Sequence, residues 1–244
     1  MDQHKPLISI EEDETSDLET TYEEFHESGK LFRFGTLKSG LLHGLIKEFD
    51  ENGVCRLISN FNLGKLDGLT RIYDKDGCLF HQCNYKDGIT NGEMISYSNN
   101  TPVLIQNISK GIANGLCQAF DSSGHLASEI FYKDGEIHGA AKFYFETKLV
   151  RTSTYKNGLL DGVSTDIDRD GNIIQKSTYV NNILEGPLIR YWPNGEIMEK
   201  IIYNSGVPTG SPNRFDQKGR KIQGAGAADT VISRLEKMVR GENG

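Results

Sequence analysis

Three lines of apolar residues recur along the chain at intervals of 23 or 24 residues. One is aromatic with a single aliphatic member: Phe49, Tyr73, Tyr97, Phe120, Tyr144, Ile167, Tyr191 and Phe215. A second runs Leu37, Phe61, Tyr85, Ile108, Tyr132, Tyr155, Tyr179 and Tyr203, and a third, aliphatic, begins Leu31, Cys55, Leu79 and Val103. Between them, polar residues such as Lys47, Glu48, Gln82, Lys142, Lys176 and Lys200 fall on both faces of any strand drawn through the sequence. A strand with one fully buried face alternates more cleanly, so the pattern predicts one antiparallel sheet with its apolar content gathered along the three lines. Those lines are the expected core.

Glycines punctuate the same period. A leading Gly40, Gly64, Gly88, Gly111, Gly135, Gly158, Asn182 or Gly206 is followed four residues later by a trailing Gly44, Gly68, Gly92, Gly115, Gly139, Gly162, Gly186 or Gly210. Midway stand Asp- and Asn-rich groups that end in glycine, such as DENG at Gly53, DKDG at Gly77, DSSG at Gly124 and DRDG at Gly171. Glycine supplies the positive φ that closes such a turn, and the short acid bonds back to the local backbone, so each unit reads as a β-hairpin. Two units depart: Asn99-Asn100-Thr101-Pro102 and Glu146-Thr147-Lys148 replace the glycine turn. A fixed period of this length marks units that bury apolar surface only by stacking on their neighbours.

The resulting expectation is an all-β protein, an elongated single-layer antiparallel sheet of stacked hairpins about 75 Å long. Three segments follow from it: an acidic, solvated head over 1–21, a repeat domain over 22–222, and a C-terminal capping helix within 223–244. The helix rests on the spacing of Val231, Ile232, Leu235, Met238 and Val239. Its expected task is to cover the open edge of the last hairpin.

Charge sharpens the picture. The chain carries a net −7, yet residues 1–29 hold ten acids against Lys5 alone, leaving the remainder close to neutral. An acidic head on a neutral body disfavours nucleic acid or anionic membrane as partner and suits a basic protein. Four cysteines without a CxxC pair read as reduced thiols. No stretch has the length or apolar content of a membrane span or a signal peptide, so the expected location is the cytoplasm.

The kernel [FY]-x-x-G-x-x-x-G, written here as YKDG at Tyr85 and Tyr132, YKNG at Tyr155 and YNSG at Tyr203, resembles the MORN repeat. It is most similar to the variant found in bacteria, in which a D-x-x-G turn precedes the kernel. The likeness covers about 22–222 and lacks the Tyr-x-Gly opening of eukaryotic repeats, whose lipid binding and ciliary scaffolding are therefore not carried over. Bacterial proteins of this kind include antitoxins and immunity proteins, so the resemblance implies a non-catalytic binder that silences a cognate toxin.

No catalytic, cofactor or metal site is expected. Asp166-x-Asp168-x-Asp170-Gly171 imitates the start of a calcium loop, but Ser177 stands where the bidentate Glu is required, and the segment is in register with the ordinary turns. His43 and His138 share a column with Asp67, Asn91, Asn114, Asp161, Glu185 and Thr209, at a repeat spacing of about 9–10 Å that no single zinc can bridge. Phosphate loops, nucleophile elbows and metal-binding helix motifs are missing. The expected contacts to a basic toxin, a nuclease or a transferase, are Glu23, Glu24 and Glu27 near the head and the turn acids Asp67, Asp161 and Glu185. The alternative function is a scaffold or secreted effector whose repeats bind host proteins or membrane.

Overall fold

The computed structural model describes residues 18–222. Every element among them is a β-strand, every pairing is antiparallel, and none is a helix. The chain divides into two compact units, Met1–Asn100 and Thr101–Gly244. The helix expected within 223–244 lies outside the described residues, as does most of the acidic head; the first strand starts at Glu19.

In the first unit, β1 (Glu19–Phe25), β2 (Leu31–Lys38), β3 (Leu41–Phe49) and β4 (Cys55–Asn62) pair in chain order. β4 then pairs with both β5 (Lys65–Leu66) and β6 (Gly68–Tyr73), two pieces of one strand, and β7 (Leu79–Lys86) and β8 (Ile89–Ser98) follow. The second unit repeats the meander with β9 (Thr101–Ser109), β10 (Ile112–Phe120), β11 (Leu126–Lys133), β12 (Glu136–Phe145) and β13 (Lys148–Lys156). It continues through the split strand β14 (Leu159–Leu160) and β15 (Gly162–Ile167) to β16 (Ile173–Val180), β17 (Ile183–Tyr191) and β18 (Ile197–Asn204). β19 (Val207–Pro208) and β20 (Asn213–Phe215) both lie on β18, and β21 (Lys221–Ile222) pairs with β20.

Two kinds of turn alternate, and each is written in the sequence. In the acid-rich turn, Asp50 Oδ1 accepts from the N–H groups of Asn52 (2.8 Å) and Val54 (3.0 Å), while Gly53, at φ 81°, donates to Asp50 O at 2.9 Å. Asp74, Asp121, Asp168 and Asp216 make the same pair of bonds. The second kind is a two-residue turn with both residues at positive φ, as at Asp134 (51°) and Gly135 (88°). Its second residue bonds to the preceding repeat: Gly135 N reaches Ala113 O at 2.9 Å, and Asn182 N reaches Leu160 O at 2.8 Å. Both departing turns take this tighter form, with Asn99 and Asn100 at 49° and 61° and Glu146 and Thr147 at 48° and 70°.

The core differs from expectation. Every aromatic member of the first two lines is only half-buried, and most of the buried positions form another line beside them. In the first unit it runs Ile46, Ser59, Thr70 and Cys83; in the second, Gln106, Cys117, Ala141, Ser153, Ser164, Ser177 and Leu188, with half-buried Ile130 in step. Ala141 and Ser59 are 0% exposed. Within a unit, each strand's substantial contacts are with the strands next to it in the chain, and among the described residues no second layer lies across either face. A large ring in such a layer keeps one side in water, whereas a small residue between rings loses all access. Tyr85 and Tyr132 lie close enough to feel this seam: the Cys83 thiol and then burial raise the Tyr85 phenol, and burial and then Cys117 raise Tyr132.

The trailing glycines serve the same arrangement. Gly68, Gly115, Gly139, Gly162 and Gly186 stand directly across from Tyr85, Tyr132, Tyr155, Tyr179 and Tyr203. On the other side of Gly68, Gly115 and Gly162 the backbone crowds a polar residue eight positions earlier. A Cβ on Gly115 would sit 3.1 Å from Asn107 Cβ, and one on Gly162 would sit 3.1 Å from Thr154 Cβ. The freed side chain then bridges the strands, with Asn60 Nδ2 donating to Leu69 O and Asn107 Nδ2 to Leu116 O, each at 3.0 Å. This Asn/Thr column was not read from the sequence, although its spacing to the trailing glycine is as regular as that of the rings.

Candidate binding surface

The strands set charged residues in rows. On the seam face of the first unit, Arg33 stands between Glu24 and Glu48 by register, at 2.8 Å from Glu24 Oε2 and 2.7 Å from Glu48 Oε1. The equivalent row of the second unit passes through Arg151, Asp166, Gln175, Arg190, Glu199 and Arg214. Arg190 and Arg214 each approach the 2%-exposed Glu199 carboxylate at 3.1 Å. A buried carboxylate needs such partners, because an uncompensated charge out of water costs several kcal/mol. This row is therefore structural and largely self-satisfied.

The opposite face is less settled. In the first unit, register places Glu23 beside Phe34, and Glu19, Glu23 and Phe25 share one side of β1. Phe25 is 55% and Phe34 41% exposed, so two aromatic rings lie in water among carboxylates. In the second unit, a shallow depression is lined by Leu116, Glu129, Phe131, Ala140 and Lys142. Phe131 occupies the Asn/Thr column, cannot make the strand-bridging bond, and is 47% exposed. Glu129 is held by Tyr144 Oη (3.0 Å), Gln118 Nε2 (3.2 Å) and Lys142 Nζ (3.5 Å), and the Tyr144 bond leads the effects that hold its carboxyl below the usual range.

The sequence-predicted contacts separate into two groups. Glu23 and Glu27 are exposed, and Glu24 is half-buried in the Arg33 pair. Asp67, Asp161 and Glu185 instead secure the next two-residue turn: Asp67 Oδ2 accepts from Lys86 Nζ at 2.8 Å, Asp161 Oδ2 from Asn181 N at 3.4 Å, and Glu185 Oε2 from Ser205 N at 2.7 Å. The Lys86 bond is the main cause holding the Asp67 carboxyl low. These three acids thus have a local architectural role.

The calcium-like segment resolves in the same way. Asp166 pairs with Arg151, and Asp168 caps its own turn through Asp170, Asn172 and Gly171. Burial pulls the Asp168 carboxyl upward, but those N–H donors outweigh it and leave it below its ordinary value. Among the described residues, no group of three or more His, Cys, Asp or Glu could hold a metal ion. No helix of the described residues is long and apolar enough to cross a membrane.

A protein whose hairpins repeat in step, with a glycine kernel across from each ring, belongs to the class of β-hairpin repeat proteins. Comparison with family models identifies the repeat in three places: residues 113–134, 137–157 and 184–205 match the MORN repeat variant. The curated proteins contain no significant match to the chain. Repeats of this type suggest a repeat-based binding protein.

Proposed function

We propose that this chain is a non-catalytic bacterial immunity protein or antitoxin that neutralises a basic toxin enzyme in the cytoplasm by covering its active site. The reading rests on the first hairpin, where exposed Phe25 of β1 and Phe34 of β2 stand beside Glu19 and Glu23, and exposed Glu27 follows in the turn. Aromatic anchors inside a charged rim are the composition of a protein interface, and the carboxylates accelerate encounter with a cationic surface. The strands and turns hold this patch rigid, so little ordering is needed on binding. The MORN repeats supply the scaffold; the toxin is the proposed partner.

Co-expression with the product of the adjacent gene tests the proposal. Growth of cells making that product is expected to recover when the full chain is present, and the two proteins are expected to purify together. The double variant Phe25→Ala/Phe34→Ala should fold and fail to rescue. Recovery that is unchanged by this variant would move the interface elsewhere, and an absence of both binding and rescue would end the antitoxin reading.

A further inference from the structure

β1 is paired along one side only. All seven of its residues register with β2, and among the described residues no strand lies on its other side. An edge of this length presents alternate N–H and C=O groups that remain open to a further strand. Natural edges are usually blunted by proline, lysine or a bulge that twists the strand away. ETTYEEF has neither proline nor lysine, and its register is regular until Glu24/Phe25.

The side chains state what kind of strand fits. On the seam face the row alternates in sign, Glu48, Arg33, Glu24, and stops at the edge. Glu24 spends one oxygen on Arg33 and Tyr22; its other oxygen has no partner among the described residues, and the side chain is 42% exposed. On the opposite face stand exposed Glu19 and Glu23. A cation at the next position outward continues the alternation, since opposite charges across strands attract and like charges repel.

We propose that the outer edge of β1 accepts an extended, basic strand of a partner protein, adding it to the first unit's sheet with cations opposite Glu24 on one face and Glu19 and Glu23 on the other. Main-chain bonds supply the affinity and the carboxylates select the occupant. The charges act against the two nearest competitors. A second copy of β1 brings another three glutamates to the edge, and the preceding EEDETSD segment of the same chain brings five acids. The inference deepens the proposed binding to a basic protein, but stands or falls by its own measurement.

The probe is a blocked peptide of about eight alternating Lys and Thr residues, compared with its Glu-Thr counterpart, on the full chain. Amide-resolved NMR with hydrogen exchange is expected to show the Lys-Thr peptide slowing exchange at alternate residues of 19–25, with no effect from the Glu-Thr peptide. In Glu19→Lys/Glu23→Lys, both sites being exposed, Lys-Thr binding should weaken about tenfold and the Glu-Thr peptide should become the better ligand. Equal binding of both peptides, shifts that avoid β1, or protection of the same amides in the free protein by its own N-terminus or a second copy would overturn the proposal. A toxin that binds the charge-reversed chain unchanged would reject the edge and keep the antitoxin reading. Peptide pairing without any toxin partner would do the reverse.

Discussion

Gly162 and Gly139 occupy the same place in successive repeats, yet the space around them differs. Gly162 has φ 122° and a Cβ position 3.1 Å from Thr154 Cβ; Gly139 has φ 87° and nothing within 4 Å. Alanine at Gly139 therefore meets only the left-handed backbone penalty, about 1 kcal/mol, whereas alanine at Gly162 adds a clash and should cost about 2–4 kcal/mol. Urea midpoints of the two variants test this ordering. The opposite change is available at Glu146 and Thr147, where a β-branched residue is held at φ 70°. Glu146→Asn/Thr147→Gly installs residues suited to that turn, and the thermal midpoint should rise with a gain of about 1 kcal/mol.

At this scale the sequence was legible where one residue type has one physical use. Asp-x-x-Gly announces its turn, because only a short carboxylate reaches both N–H groups and only glycine is comfortable at the closing φ. The polar column and the seam were hidden for the converse reason. Asn60, Asn107 and Thr154 read as ordinary surface residues, and Ser153 or Ala141 gives no hydrophobic signal; their burial follows from what covers them, which only the register reveals. The turn bonds of Asp67, Asp161 and Glu185 were hidden in the same way, since each reaches a residue 19 or 20 positions further along the chain.

At the scale of the strand, the rows of the seam face explain how a layer this thin tolerates so many charges. Arg190, Glu199 and Arg214 come from three neighbouring strands of the sheet, β17, β18 and β20, and join them through one carboxylate. Glu199→Ala leaves two partly buried guanidinium groups without it and should cost about 3–5 kcal/mol in chemical denaturation. Glu199→Gln keeps two hydrogen-bond acceptor sites on its carbonyl oxygen and should cost less. If both variants unfolded at the wild-type midpoint, the row would be ornament on the sheet and not one of its ties. The strands and their order were readable from the 23- and 24-residue period, but this tie was not, because Arg190 and Glu199 announce a pair only once β17 and β18 are aligned.

For the whole molecule, the capping carboxylates set an acid limit. The N–H of His125 is the leading cause that holds Asp121 low, and the N–H of Arg220 does the same for Asp216. A carboxyl depressed in the folded state stabilises above its unfolded pKa, about 3.9, and that contribution is lost as pH falls through the folded value. The melting temperature should therefore be level between about pH 5 and 7 and decline below about pH 4, with Asp121→Ala/Asp216→Ala showing a shallower decline.

The habit of each strand to bond with its neighbour in the chain has a consequence for history as well as for chemistry. Native partners are rarely far apart along the polypeptide, so folding can begin at any hairpin and spread outward without a costly long-distance search. A gene for such a protein can gain or lose one period, copied from one two-residue turn to the next, and still encode a chain whose every new residue finds a familiar neighbour. Growth by duplication is thus open to this architecture in a way that it is closed to a globule with a single shared interior.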